Sequence, residues 1–494
     1  MKKTRWLILI SLLLLSLLAA CSNDNDKNKD IKVDNPTVKQ KIKTGKSFTV
    51  VAEEATHVID GHKIDVLTFD GSIPGTEIHV KQGEKVKITL KNELKEDSIT
   101  MHFHGYPVPN AMDGVPGVTQ NAVKPGETFT YEFTATVPGT YWYHSHQHGV
   151  YQLEKGLYGT FIVDEAKKSD YDIDKTLVLD EWTTKKITST TKHSHGSGSM
   201  DDMYQLYTIN GQTGDDIEKL NVKKGDKVRL RLINAGFTPK YFVLEGHKFK
   251  VIALDGNKVE KPSKLQNKVI KIGAAERYDI EFTANNPGDW KIKFISKSKK
   301  TQAKLDKMTM NIVYDKESMK HAKRQDHPMA NIQNTFDYTQ YGIGRNKWFS
   351  LNDKFDVEYT MELNTTMSHH TYYTINNAIY PLTEDIKVKS GDLVKVTLKN
   401  HSPYDDHPMH LHGHTFQILS RNNEPVKGAP VYKDTVNLSP GEVVVVAFRA
   451  NNKGIWMFHC HDLHHASGGM VTHLIYTDFT QDPSINKDEH NMPE

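Results

Sequence analysis

The feature that most constrains this chain is a phrase it writes three times. VKQGEKVKITLKN begins at Val80, VKKGDKVRLRLIN at Val222 and VKSGDLVKVTLKN at Val388. Each copy has a turn glycine (Gly83, Gly225, Gly391) followed by alternating apolar and polar positions. A period of two is the pattern of a strand buried on one face. A second phrase follows each copy: VKPGETFTYEF from Val123, IGAAERYDIEF from Ile272 and LSPGEVVVVAF from Leu438. A third comes after that: VPGTYWYHSH from Val137, NPGDWKIKF from Asn286 and NKGIWMFHCH from Asn452. Three phrases in one order, three times, define a tandem repeat. Strand-rich units with Gly, Pro and Asn turns at short intervals predict β-sandwiches. The expected fold is therefore all-β, with three Greek-key domains at 47–167, 168–330 and 331–482. The segment from Lys316 to Asn334 is the expected linker between the last two, and 483–494 is a polar tail expected to fray.

Composition excludes several classes. Of 494 residues, 63 are Lys or Arg and 61 are Asp or Glu, a balance that argues against nucleic acid as a partner. Two cysteines exclude a disulfide scaffold and a Cys-rich zinc or iron–sulfur protein. Histidine is the residue in excess, with 26 copies.

Many of these histidines fall on the repeats. The first unit contains MHFHG (His102, His104) and YHSHQHG (His144, His146). The third contains HPMHLHG (His407, His410, His412) and FHCHDLHHASGGM (His459, Cys460, His461, His465, Met470). The second unit has no His-x-His at the equivalent places. On a strand, residues i and i+2 share a face. Four His-x-His pairs, two from each outer unit, can therefore aim eight imidazoles into one cleft. Eight imidazoles without a carboxylate companion exceed the needs of one zinc or iron and suit a cluster of copper ions. Cys460 lies between His459 and His461, so its sulfur faces the other way. There it can join His407, His465 and Met470, the ligand set of a blue-copper electron-transfer site.

The chain begins with a basic stretch (Lys2, Lys3, Arg5) and an apolar run from Trp6 to Ala20. This run is shorter than the roughly 20 residues of a bilayer span and reads as a secretory signal at 1–20. It ends Leu18-Ala19-Ala20-Cys21, which resembles a bacterial lipobox. The resemblance implies a lipidated Cys21, a polar tether at 21–46, and anchoring at the outer face of the cytoplasmic membrane.

The four histidine motifs resemble the copper-binding motifs of the three-domain multicopper oxidases, the laccase and cuprous-oxidase family. The resemblance spans about 47–482. It implies cupredoxin-like domains, with the copper ligands in the first and third. It implies a type 1 copper on His407, Cys460, His465 and axial Met470. It implies a type 2 copper on His102 and His410, and a type 3 pair on His104, His144, His146, His412, His459 and His461. The implied reaction is one-electron oxidation of Cu(I), another metal ion or a phenol, coupled to reduction of O2 to water, in the service of copper tolerance. The protein is expected to act as a monomer. Asp113, eleven residues after His102, matches the family's proton-relay aspartate. The family's second acid falls here on Ala466, so a second proton donor is missing from the pattern, and Asp462 is the nearest acid in sequence. The alternatives are a copper-binding scaffold without turnover and an enzyme like the copper nitrite reductases.

Weaker signals remain. His193, His195, Met200 and Met203 lie in a Gly/Ser-rich loop, and Met319, His321, His327 and Met329 in the linker. Imidazole and thioether suit Cu(I), but a flexible polar insertion is the plainer reading of both. Asp405 and Asp406 could draw cations to the type 1 mouth or simply be a solvated loop. His148, His414, His464 and His473 are expected to be supporting or surface residues.

Overall fold

The computed structural model of the chain describes residues 35–167, 169–187, 200–320, 322, 330–367, 371–486 and 491–493. Cys21, His193, His195, His321, His327 and Met329 lie outside the described residues. Among the described residues, the body Pro36–Glu494 holds six sheets.

The repeated phrases become the same wiring three times. The first phrase forms the strands Lys85–Asn92, Lys227–Asn234 and Leu393–Asn400. Each pairs in parallel with a long preceding strand: Ser47–Ile59, Ile173–Trp182 and Val357–Met367. Each also pairs antiparallel with the strand of the second phrase: Thr128–Thr134, Arg277–Thr283 and Val443–Arg449. The third phrase forms Gly139–His144, Trp290–Phe294 and Ile455–Cys460, which lie in the opposite sheet of each unit. Gly83, Gly225 and Gly391 sit at φ of 89°, 103° and 100°, and an added Cβ would meet nothing. Glycine is there for the left-handed backbone of the turn, not for space.

Alternation decides burial. Along Lys85–Asn92 and Leu393–Asn400 every second side chain is buried, as a half-buried strand requires. Lys227–Asn234 departs from this: from Leu230 onward every residue is buried. Its Arg231 donates to Thr140 of the first unit at 2.7 Å, so the outer face of this strand is covered by a neighbour.

Two segments read as irregular are ordered by pairing. Ile42–Thr44, within the expected tether, adds a parallel strand to Gly75–Lys81. Asn491–Pro493, within the expected frayed tail, packs on the first unit. Ala122 N–H donates to Asn491 Oδ1 at 2.8 Å, and His148 N–H to the Met492 carbonyl at 2.7 Å.

Candidate metal centre

The histidine-bearing strands are short; His102–His104 lies at the edge of its sheet and Ile455–Cys460 at the centre of its own. His102–His104 pairs with Gly139–His144, setting His102 opposite His144. His407–Leu411 pairs with Ile455–Cys460, setting His410 opposite His459 and Met409 opposite Cys460. The parity argument is thus realised in the register: His410 and His459 share one face, and Cys460 is on the other.

The eight expected cluster histidines do converge, and they sort themselves. His104, His144 and His461 form one group, and His146, His412 and His459 a second; in each the donor atoms lie within 4.8 Å of one another. His102, His104 and His410 form a third. The first two groups are the six histidines expected of a type 3 pair, and the third contains both expected of type 2. Rings from the outer units interleave: His104 stacks on His410 at 3.7 Å between centroids, and His102 on His412 at 4.0 Å.

The second nitrogen of each ring shows which atom is left for a metal. His102 Nδ1 donates to the Asp113 carbonyl (2.7 Å) and His410 Nδ1 to the Asp434 carbonyl (3.0 Å). His144 Nδ1 and His459 Nδ1 donate to the carbonyl of their own next residue, Ser145 (2.9 Å) and Cys460 (3.0 Å). His146 Nδ1 donates to the Pro493 carbonyl at 2.8 Å, and His412 Nδ1 to Asp113 Oδ2 at 2.9 Å. A carbonyl or carboxylate only accepts, so in these six rings the proton is on Nδ1 and Nε2 keeps its lone pair. His104 is reversed, with Nε2 3.0 Å from Thr435 Oγ1 and Nδ1 left over.

These leftover atoms suit a metal. His102 Nε2, His410 Nε2 and His104 Nδ1 are buried without a hydrogen-bond partner. Leaving one such atom unsatisfied costs about 1–3 kcal/mol, and here three of them belong to a single group. Protonation is no remedy. Burial first, and the neighbouring imidazoles next, hold His104, His144, His412, His459 and His461 far below the ordinary histidine range and bring His146 down to about 3. Neutral, convergent, buried imidazoles with open lone pairs fit a metal.

The other face holds a second donor set. Cys460 Sγ is 3.5 Å from His465 Nδ1 and 3.8 Å from His407 Nδ1, and the two nitrogens are 3.1 Å apart. Donors bound to one metal at about 2.0–2.3 Å in near-tetrahedral array sit roughly 3.3–3.6 Å apart, so this spacing suits one small ion. Burial brings His407 down to about 3 against the opposing pull of Asp406. Ser402 Oγ holds His407 Nε2 at 2.7 Å, and Tyr373 stacks on His465 at 4.0 Å. Met470 is fully buried, and its carbonyl accepts the Cys460 N–H at 3.1 Å.

The acids divide between the two sets. Asp113 Oδ1 is 3.2 Å from His102 Nδ1, and its other oxygen meets His412, so one carboxylate touches both halves of the cluster. It can do so because Gly114, at φ 78°, lets the chain turn against the Met101 carbonyl, where no Cβ fits. Asp462 faces the blue side: Oδ2 is 3.3 Å from His465 Nε2, and Oδ1 caps the His464 N–H. Burial raises its pKa to about 7, so its carboxyl holds a proton more readily than an ordinary one. Asp405 accepts from Thr365 and Asp406 pairs with Lys271, so both have partners within the fold. His464 Nε2 meets Tyr204 Oη at 2.8 Å, and His414 Nε2 meets Tyr476 Oη at 2.7 Å; both serve packing. His473 lies beside Asp385, and His148 stands at the start of the helix Gly149–Glu154.

Three residues at the cluster gave no warning in the sequence: Arg277, Asp434 and Thr435. Asp434 Oδ1 is 3.3 Å from His104 Nε2, and Arg277 lies across the same carboxylate. Although burial opposes ionisation, the Arg277 guanidinium holds the Asp434 carboxyl below the usual carboxylate range. Arg277 is buried, whereas Thr128 and Val443 at the equivalent place of the other two phrases are not, so the repeat itself pointed away from it.

A thiolate with two imidazoles, beside an eight-imidazole cluster, defines a copper redox protein with four metal positions. Comparison with known proteins agrees. Family models described as multicopper oxidase match residues 51–168, 174–318 and 349–479. Multicopper oxidase MmcO of Mycobacterium tuberculosis is 29% identical, over 87% of this chain and 86% of its own length. The iron transport multicopper oxidase FET3 of Candida albicans is 30% identical, over 86% and 74%. The crystal structure of Fet3p, described as functioning in iron import, aligns with a TM-score of 0.74 at 26% identity, covering 91% of this chain and 94% of that one. The chain belongs to the multicopper oxidase family. It is an oxidoreductase that uses O2, and its cofactors are four copper ions, one type 1, one type 2 and a type 3 pair.

Proposed function

We propose that the chain oxidises Cu(I), other metal ions or phenols one electron at a time at a type 1 copper held by His407, Cys460, His465 and Met470. Four such electrons, with four protons, reduce one O2 to two waters at a trinuclear site held by His102, His104, His144, His146, His410, His412, His459 and His461. The observation that carries this reading is the sorting of eight imidazoles into two groups of three and a further pair, with one thiolate on the opposite strand face.

Bound copper supplies one-electron redox chemistry at both sites. The protein's own residues do the rest. Cys460 is joined through its backbone to His459 and His461, a covalent path along which an electron would cross between the two sites with copper bound. Tyr373 and Ser402 hold the two imidazoles of the donor side. Asp113 bridges His102 and His412, and it is the carboxylate placed to pass protons to reduced oxygen.

The cellular setting belongs to the same proposal. Lipidation at Cys21 would anchor a monomer outside the cytoplasmic membrane, where oxidation of Cu(I) would serve copper tolerance. Among the described residues no helix is long and apolar enough to cross a membrane. The test is to load the protein with copper, record the blue absorption and the type 2 EPR signal, and follow O2 uptake with Cu(I), Fe(II) and a phenol. Uptake with at least one donor is expected. A blue, fully loaded sample that consumes no O2 with any of them would overturn the reading.

A further inference from the structure

We propose that Arg277, from the repeat without copper ligands, is a positioning residue for the trinuclear site, acting through Asp434 and Thr435 on His104 and His410. The inference rests on the assignment of those two histidines to that site.

The contacts form a short chain with one residue from each repeat around it. Arg277 is fully buried at the start of the strand Arg277–Thr283. Its two terminal nitrogens fork onto both carboxylate oxygens of Asp434, at 2.7 and 2.6 Å. A bidentate pair fixes the plane of the carboxylate as well as its place. The same repeat grips the backbone beside it. Asp255 Oδ1 accepts the Arg277 N–H at 2.9 Å, while Oδ2 accepts the Thr435 N–H at 3.2 Å and lies 3.0 Å from Lys433 Nζ. The segment Lys433–Thr435 is thus seated by the second repeat on one side.

On its other side that segment meets the cluster. Thr435 donates its hydroxyl proton to Asp434 Oδ1 at 2.9 Å. Its oxygen therefore has only lone pairs to offer the rings, and it lies 3.0 Å from His104 Nε2 and 3.1 Å from His410 Nδ1. The result is a defined tautomer. The His104 proton stays on Nε2, and Nδ1, the atom without any partner, is left for copper. His104 comes from the first repeat and His410 from the third. The oxygens between them are held in place by the second.

Gly105 supports this reading. It follows His104 directly, at φ 75°, and a Cβ there would collide with the Arg277 guanidinium and the Asp434 carboxylate. The ion pair occupies space reserved beside a ligand. Docking alone does not call for this arrangement, because a buried ion pair is often no more stabilising than a well-packed apolar pair. An ion pair used only for docking would also have no need to end on two ligand rings.

The test uses the full copper-loaded protein and the variants Arg277→Met, Arg277→Lys and Asp434→Asn. Total copper, blue absorption and type 2 EPR are recorded, and a chelator is titrated against the trinuclear copper. Arg277→Met is expected to keep the blue absorption, to shift the type 2 EPR pattern and to hold trinuclear copper about 10- to 100-fold more weakly. Arg277→Lys should fall between it and wild type. If Arg277→Met does not fold, Asp434→Asn decides, since it keeps shape and loses charge; it should shift the type 2 signal with the blue absorption intact. Unchanged type 2 EPR and copper affinity in the folded variants would overturn the inference. So would a parallel loss of blue and type 2 signals, which marks a residue that only holds the fold together. Wild-type protein lacking a type 2 signal would sink the trinuclear assignment itself, and this inference with it.

Discussion

The proposed blue site and the proposed trinuclear site share the strands His407–Leu411 and Ile455–Cys460, yet they are put together in opposite ways. His407 and His465 are 58 residues apart, and both meet Cys460 within one repeat. The trinuclear site joins His461 to His144 across 317 residues and His104 to Thr435 across 331. One is a local product of strand register. The other exists only where the repeats dock, and its ligand rings are braced by oxygens from Asp113, Asp434, Thr435 and Pro493. The contrast teaches that the two sites can be damaged separately, although a single tripeptide serves both.

The largest expected effect is that of Cys460→Ser. The blue absorption should vanish and turnover fall to background, while type 2 EPR and total trinuclear copper persist. Loss of the trinuclear copper as well would show that the two sites do not fill independently. Next comes Asp113→Asn, which keeps shape and hydrogen-bonding reach but cannot cycle a proton. O2 uptake should fall about 100-fold, in the range of lost acid–base catalysis, with blue absorption unchanged; a wild-type rate would remove Asp113 from the proton path. Ser402→Ala frees His407 Nε2 and should weaken the blue copper alone, about 10-fold by chelator competition. An equal effect on the trinuclear copper would break the comparison.

The smallest effect concerns pH. His79 bridges Glu77 at 2.8 Å and Asp164 at 3.0 Å, tying Gly75–Lys81 to Tyr158–Asp164 in the first repeat. Burial works against its charged form, but the two carboxylates prevail and raise its pKa to about 9. A raised folded pKa gives stability that is complete below about 6.5 and lost as pH rises through about 9. With part of the ring solvated, this is worth about 1–2 kcal/mol. Denaturant titrations at pH 7 and pH 9.5 should show that difference in wild type and little of it in His79→Gln. In wild type the trinuclear copper should loosen before the blue copper as pH rises, since only the former needs the first repeat. Simultaneous loss would argue against that order.

What could be read from the sequence follows the range of each interaction. Strand parity is a property of adjacent residues. His102 with His104, and Cys460 between His459 and His461, could therefore be placed on faces from spelling alone. The threefold phrase likewise announced three copies of one strand-rich unit, while the pairing of their strands came only with the structure. Asp113 was legible because it follows His102 closely. Arg277 was not, because its meaning lies in Asp434, which is 157 residues away. Nor was Pro493, whose carbonyl reaches His146 across 347 residues. Ile42–Thr44 looked like tether because its residues are polar, and it is a strand because an open edge at Gly75–Lys81 accepts it. Asp462 was near in sequence to both sites, and only the cap it forms for the helix Leu463–Ser467 turns it toward His465.

The span between His104 and Thr435 also sets a clock. At about 5–20 residues per second, synthesis of those 331 residues takes roughly 15–65 s. For most of that interval His102 and His104 exist without His410, His412, His459 and His461. A full set of ligands for the three-copper position therefore exists only once His461 has been made and the first and third repeats have met. The donors of the thiolate position, His407 through Met470, are made close together near the end, so none waits long for the others.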